Sequence, residues 1–511
     1  MLYEHLKYKK VMKLKYIISI LIAGLLFFSS CDEDNLDKIN PNGFTTSSYY
    51  TNGEQLEKAT NAIYGQFTGS DLYGRMMAYL SRCRSDEHAS GGPQLEVHNA
   101  KLLNGTYDNT IFTLTAPWQG WYRLIHRANT VIEYGPGIED PTLDPDIKAH
   151  RIAEAKFLRA FAYFYLVVYW GDVPLYTETV KTPDGEKATS PESEIYELLE
   201  KDLNDIIPVL NVTHDDANLG RATKGAAQLL LARVLMHQGK YGEARTVLLD
   251  IYNYGPYDLV DNYADNFQEE TEYNEESIFE IGFTGNNFNW WPDGNGDSPA
   301  DKGHVMFQDV SPTGWRNLVP SDKLINDFER VSKGDEKDDP RLAETVIFKD
   351  DTYGPNNEFT LTESEYGWYK YSPMYKLNPG GYYISTINYR NMRYAEVLIK
   401  LAECENEVGT PGDAIGYLNE IRNRPSVDMP DYPTSNYPCD SKDEIYRAIM
   451  HESLVEFSNE LYRAVELARW RKNDKFSTLN PEPIEYIANN PNKAILPIPS
   501  NETNNNSKIN N

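Results

Sequence analysis

Apolar side chains recur along most of this chain at intervals of three and four residues, the period of one face of an α-helix. Leu56, Ala59, Ile63 and Phe67 share such a face, as do Ala155, Leu158, Ala162 and Leu166. Ile195, Leu199, Leu203, Ile206 and Leu210 follow the same rule, and that helix has a start signal, with Ser190 predicted as N-cap and Pro191 at the first helical position. Ser441-Lys442-Asp443-Glu444 predicts a capping box opening a long helix whose stripe includes Leu454, Phe457, Leu461, Val465 and Ala468.

Two stretches, 229–251 and 399–421, align without a gap. Leu231, Ala232, Gly239, Ala244, Leu248 and Ile251 correspond to Leu401, Ala402, Gly409, Ala414, Leu418 and Ile421. The alanines let two antiparallel helices approach closely, and each glycine can end the first helix. This is the spacing of a tetratricopeptide-type helix–turn–helix unit, so the expected fold is mainly α. The helical period lapses at 284–320, which is rich in Gly, Asn, Asp and Pro, and again in the aromatic segment 366–383. Loops of that length inside a compact domain are usually functional.

Composition narrows the picture. Hydrophobic residues make 40% of the 511 and argue against disorder, while a formal charge of −28 would repel nucleic acid and anionic lipid. No segment after the N-terminus approaches the length of a spanning helix. Tyr, Phe and Trp make 12% of the chain, enough for a large helical core or a wet binding surface. Cys83, Cys404 and Cys439 are too few and too far apart for a disulfide framework or a zinc site, and are expected to be buried, inert thiols.

The N-terminus has its own logic. Lys7, Lys9, Lys10, Lys13 and Lys15 precede a predominantly apolar stretch, 16–28, too short to span a bilayer and of the right length for a secretory signal. Ser29-Ser30-Cys31 resembles the lipobox of bacterial lipoproteins, which implies a signal peptide at 1–30, cleavage before Cys31 and acylation of that cysteine.

Further segments carry a family resemblance. WQGWYRLIHRANTVIE (118–133), EAKFLRAFAYFYLVVYWGDVPLYTE (154–178), RYAEVLIKLAECENEVG (393–409), LNEIRNR (418–424), HESLVEFSNELYRAVELARW (451–470) and ILPIPSNE (495–502) stand in the order found in the SusD/RagB family of Bacteroidetes outer-membrane lipoproteins. Leu461 departs from the family's usual glycine, Glu466 from its aspartate and Ser453 from its common arginine. The resemblance implies a SusD-like helical fold with tetratricopeptide-type repeats and long irregular ligand-facing loops. It divides the chain into an N-terminal region, 31–240, and a C-terminal region, 241–511, packed as one globular unit. It also implies a lipid-anchored protein facing outward from the outer membrane, which binds an oligosaccharide and delivers it to a SusC-like TonB-dependent transporter. Asp32, Glu33 and Asp34 then resemble the surface-export signal of such lipoproteins. A peptide or protein ligand is the alternative within the family, and a surface glycoside hydrolase the alternative outside it.

Sugar binding needs flat apolar faces for rings and polar groups for hydroxyls. Trp290, Trp291 and Trp315 are the candidate platforms, with Asn287, Asn289, Arg316 and Asn317 as hydrogen-bonding partners. In relatives the region after the first helices often reaches the ligand face, which adds Asp86 and Glu87 as weaker candidates than the tryptophan loop. Asp293, Asn295 and Asp297 have the spacing that opens a calcium loop, but Ser298 and His304 stand where an EF-hand has Gly and Glu, so the expectation is at most a structural calcium. No cofactor is otherwise expected. HExxH, GxSxG and Walker motifs are absent from the sequence, and no two histidines lie four apart. Glu452, Glu456, Glu460 and Arg463, at helical spacing, predict an ion-paired face of the scaffold.

Overall fold

The computed structural model describes residues 49–509 except 183–184, 286–302, 355–358, 363 and 377–383, together with residues 7, 8, 12 and 15. Residues 52–511 form one compact unit, and 1–51 a separate one. Within the larger unit, eleven helices carry the architecture: α1 (Gly53–Phe67), α2 (Met76–Cys83), α3 (Phe112–Tyr134), α4 (Pro145–Trp170), α5 (Glu192–Ile206), α6 (Lys224–His237), α7 (Tyr241–Tyr254), α8 (Tyr394–Val408), α9 (Pro411–Arg422), α10 (Lys442–Phe457) and α11 (Arg463–Lys472). Several begin where a side chain accepts from an otherwise unpaired N–H: Asn52 Oδ1 from Gln55, Thr223 Oγ1 from Ala226 and Thr410 Oγ1 from Asp413. Each such cap contributes about 1 kcal/mol. No helix among the described residues is long and apolar enough to cross a membrane.

The helices stack in sequence, α3 on α4, α4 on α5, α5 on α6, α6 on α7, and then α7 on α8 across the long excursion between them. The two aligned segments are the hairpins α6–α7 and α8–α9. Leu231 and Leu401, Ala232 and Ala402, Ala244 and Ala414, Leu248 and Leu418, and Ile251 and Ile421 are all buried, as the alignment requires. The turn glycines differ. Gly239 has φ +71°, which favours glycine, whereas Gly409 has φ −114° and is constrained by space instead, a Cβ there standing 1.6 Å from Glu405 Oε2.

Three expectations need correction. Ser190 is not the cap of α5: it sits in a two-residue strand paired with Val173, Pro191 takes the N-cap position, and Asp172 Oδ1 accepts from the Glu192 N–H at 2.9 Å. The long helix opened by Ser441 is two helices. Ser441 Oγ does accept from the Glu444 N–H, but Glu444 reaches back to the Asp440 N–H rather than to Ser441. Between α10 and α11 the chain passes through Asn459 and Leu461 with φ near +60°. A left-handed residue costs an L-side chain of order 1 kcal/mol, so Leu461 stands in a conformation that glycine would adopt more readily. Finally, the loop predicted over 284–320 is irregular only in part, since Met306–Val310 is a short helix buried at every position.

Four strands frame that region: β1 (His88–Ser90), β2 (Ser277–Ile281), β3 (Leu318–Pro320) and β4 (Tyr389–Arg393), with β1 antiparallel to β3 and β2 to β4. In the aromatic segment 366–383, Tyr366–Trp368 is a strand and Trp368 is fully buried against His88. Cys83, Cys404 and Cys439 are free, buried thiols.

The predicted ion-paired face of α10 exists, but it faces inward. Glu456 accepts from Arg393 at 2.6 Å, Arg424 at 3.0 Å and Arg341 at 2.8 Å. Glu276, at the foot of β2, accepts from Arg393 and Arg424, each at 2.7 Å. Glu460 joins Arg393 at 2.9 Å to Lys370 at 2.6 Å. Glu452 takes Arg341 and Arg422. All of these side chains are buried. In so dry a place an ion pair adds little net stability over an apolar substitute, yet breaking one costs ~3–5 kcal/mol. The network therefore locks β2, β4 and α10 into one arrangement.

Candidate ligand-binding site

Two stretches that the sequence separates by some eighty residues meet beside β2 and β4. His304 and Ser385 exchange backbone hydrogen bonds at 2.9 Å each, and His304 Nε2 pairs with the Ile387 carbonyl at 3.0 Å. The Phe283 N–H donates to Asn388 Oδ1 at 2.9 Å. Residues 283, 304, 385 and 388 are thus drawn together beside the β2–β4 ribbon.

From His304 the chain enters the Met306–Val310 helix and then a turn that presents Trp315. The Trp315 N–H donates to the Gln308 carbonyl at 2.9 Å and the Asn317 N–H to that of Asp309 at 2.8 Å. Arg316 has φ +51°. The opposite strand matches it: a Cβ on Gly91 would stand 1.6 Å from the Arg316 carbonyl oxygen, so only glycine fits. The Gly91 N–H donates to the Asn317 carbonyl, extending the β1–β3 ladder. Gln94 closes the turn, its Nε2 donating to the carbonyls of Trp315 at 3.1 Å and Arg316 at 3.0 Å.

Beneath the indole lies Arg75. Its Nε and Nη2 each donate to Asp309 at 3.1 Å, Nη2 also reaches Glu96 at 3.2 Å, and its Cζ is 5.6 Å from the Trp315 ring centre and 5.4 Å from that of Tyr79. Burial works against the Arg75 charge, but Asp309 and Glu96 outweigh it and hold the pKa above its ordinary value. Burial pushes the Asp309 carboxyl up, although Arg75 opposes it. The indole is thus supported from below by a cation that is itself fixed. Trp315 and Arg316 are half-buried, while Gln94 and Val97 beside them are exposed. His98 packs edge-on against Phe112 and lies 3.6 Å from Glu96. The surface combines a fixed aromatic ring with amide, guanidinium and imidazole groups, the chemistry that suits a ring with hydroxyls around it.

Of the predicted residues, Trp315 and Arg316 belong to this surface. Asn317 is buried and donates from Nδ2 to the Tyr79 hydroxyl at 2.6 Å, so it holds the turn from within. Asp86 is a correction. Its carboxylate is buried, bound by Arg463 Nε and Nη2 at 2.8 and 3.1 Å and by Lys323 at 2.5 Å, which leaves it no role at a ligand face. Burial would raise its pKa, but Arg463 and Lys323 hold it well below the carboxylate range. Glu87 is buried beside it. Trp290, Trp291, Asn287 and Asn289 lie outside the described residues, as do Cys31 and the calcium-type triplet Asp293, Asn295 and Asp297. Among the described residues no His, Cys, Asp or Glu cluster could hold a metal. Arg75, Gln94 and Glu96 carried no sequence motif; the one signal near them was the Gly91-Gly92-Pro93 turn, which brings Gln94 against the Trp315 carbonyl.

Known proteins match this chain along nearly its whole length. A family model described as "SusD family" matches residues 275–511, and one described as "Starch-binding associating with outer membrane" matches 51–236. SusD-like protein P25 of Formosa agariphila is 23% identical over 484 residues, covering 89% of this chain and 90% of that protein. SusD-like protein P2 of the same organism is 27% identical over 533 residues, covering 97% and 98%. Among solved structures, a laminarin-binding SusD-like protein has a TM-score of 0.72 at 24% identity, covering 90% of this chain and 99% of that one. Surface glycan-binding protein A from Bacteroides thetaiotaomicron, in complex with laminarihexaose, has a TM-score of 0.68 at 22% identity, covering 88% and 97%. With both halves of its sequence matched and its helical architecture shared, the chain belongs to the SusD/RagB family.

Proposed function

We propose that this protein is a non-catalytic glycan-binding lipoprotein of the cell surface, anchored to the outer membrane through Cys31, which captures an oligosaccharide and passes it to a SusC-like TonB-dependent transporter. The observation that carries the binding role is the Trp315 turn, an indole fixed on Arg75 and flanked by Gln94 and Arg316 at a surface. Relatives named for laminarin and surface-glycan binding support the ligand class. The lipobox at Ser29-Ser30-Cys31 and the outer-membrane description of one matching family model support the compartment. Titration calorimetry of the soluble chain against laminarin, starch, xylan and mannan oligosaccharides tests the ligand. Saturable binding to at least one is expected, and a folded sample that binds none overturns the reading. Cys31→Ser should release the protein from the membrane fraction. Replacing Asp32, Glu33 and Asp34 by alanine should leave it lipidated but shielded from protease added to intact cells.

A further inference from the structure

A second aromatic cleft lies between the end of α1, the α5–α6 connection and the segment leading into β2. It is formed by two adjoining cavities of about 380 and 250 Å³. Leu219, Gly220, Arg221, Tyr273 and Glu280 line both, so these residues make the partition between them. None of Trp315, Arg316, Gln94 or Arg75 lines either cavity.

Tyr273 is the unusual member. Its φ is +57°, a left-handed conformation that bulky residues rarely adopt and that costs ~1–3 kcal/mol. The conformation is held rather than accidental. The Tyr273 N–H donates to Glu280 Oε1 at 2.9 Å, and Glu280 is fixed in turn by Asn388 at 3.0 Å and Arg390 at 3.2 Å. The phenol tip rests on two glycines: a Cβ on Gly220 would lie 3.1 Å from the Tyr273 hydroxyl, and one on Gly282 3.2 Å. Gly220 also has φ +83°, so glycine is favoured there twice over. Yet the ring is only half-buried, and core packing does not account for holding a strained backbone in this position.

The walls narrow the ligand class. The charges of the partition are already answered within the protein, Arg221 by Glu57 and Glu154 and Glu280 by Arg390. What remains is apolar surface, including exposed Leu219 and Val212, one exposed carboxylate, Glu275, lining the smaller cavity, and neutral hydrogen-bonding groups: Thr213, Asn274 and the Tyr257 hydroxyl on one side, Asn61 and Thr68 on the other. An anionic ligand would meet Glu275 and find Arg221 already answered. A chain of neutral sugars offers apolar ring faces to Tyr273 and hydroxyls to the walls on both sides of it. We infer that this cleft is a second, separate binding site for a neutral oligosaccharide, straddling Tyr273; the inference rests on the glycan-binding reading of the protein.

The test uses the Trp315→Ala protein, whose first site is disabled, with a glycan that the wild type binds, starting from laminarihexaose and maltohexaose. At saturating glycan, hydrogen exchange should slow at 212–220 and 273–282. Tyr273→Gly, which removes the ring while suiting the backbone, should abolish that protection and weaken the residual affinity at least tenfold. Tyr273→Phe should retain both, and none of the variants should lose the cooperative melt. If Trp315→Ala eliminates all binding, or if Tyr273→Gly leaves the residual affinity unchanged, the second site is wrong while the first stands. If the wild type binds no glycan at all, the functional reading falls and takes this inference with it.

Discussion

Arg393 and Arg75 each meet more than one carboxylate, but in opposite settings. Arg393 is closed in by Glu276, Glu456 and Glu460, all buried, and the Phe457 ring lies 4.0 Å from its Cζ. Arg75 is buried against Asp309, but its second carboxylate, Glu96, is 28% exposed and the ring above it is half-open to solvent. In the first setting the charges see only each other, and their work is to fix three elements in one register. In the second the same chemistry is brought to the surface and used to hold an aromatic ring in place. One region spends its ion pairs on rigidity, the other on presenting a face. The difference teaches that burial and the partner of the partner decide what an arginine–carboxylate pair does.

That contrast can be broken at four points. The largest effect should come from Glu456→Ala, which leaves Arg341, Arg393 and Arg424 facing one another without their shared carboxylate. A loss of about 5 kcal/mol is expected, read by urea unfolding or by failure to accumulate folded protein. Asp86→Ala strands buried Arg463 and should cost about 4 kcal/mol, while the fraction that stays folded binds glycan with unchanged affinity. A change of affinity there would return Asp86 to the ligand face.

Glu87→Gln acts through pH. Burial, and then the neighbouring Asp86, push the Glu87 pKa up to about 8 from an ordinary 4.5. Between those values the folded chain holds a proton that the unfolded chain has released, so this group's contribution falls as pH rises through that window. Glutamine mimics the protonated acid. The variant should therefore match the wild type near pH 4.5 and exceed it by about 4 kcal/mol at pH 8, as melting curves across the range would show. The smallest effect on stability, under about 1 kcal/mol, is expected for Trp315→Ala, since that ring is half-exposed.

The sequence was legible where a period or a cap made it so. The two hairpins α6–α7 and α8–α9 were found from Leu, Ile, Ala and Gly positions alone, because burying one helix face leaves a linear trace. The ion-pair framework left almost none. Glu456 and Arg393 are 63 residues apart, and charges that meet across a fold look in sequence like any solvated face. Asp86 enters as a ligand candidate by its position after the first helices, and no linear signal shows that its carboxylate is buried against Arg463. Trp315 was legible as an embedded aromatic, but its supports were not: Arg75 and Gln94 come from a segment more than two hundred residues away, joined by the β1–β3 pairing. The Met306–Val310 helix was missed because five residues are too few to show a helical period.

The central claim, that the Trp315 turn meets the ligand while the buried network only builds the stage for it, has one direct test. Wild type and Trp315→Ala are titrated in a calorimeter with the oligosaccharide that the wild type binds best, and both are melted under the same buffer. The account predicts at least a tenfold loss of affinity, about 1.4 kcal/mol, with a melting temperature within about 2 °C of wild type. Equal affinity in two equally stable proteins would contradict it.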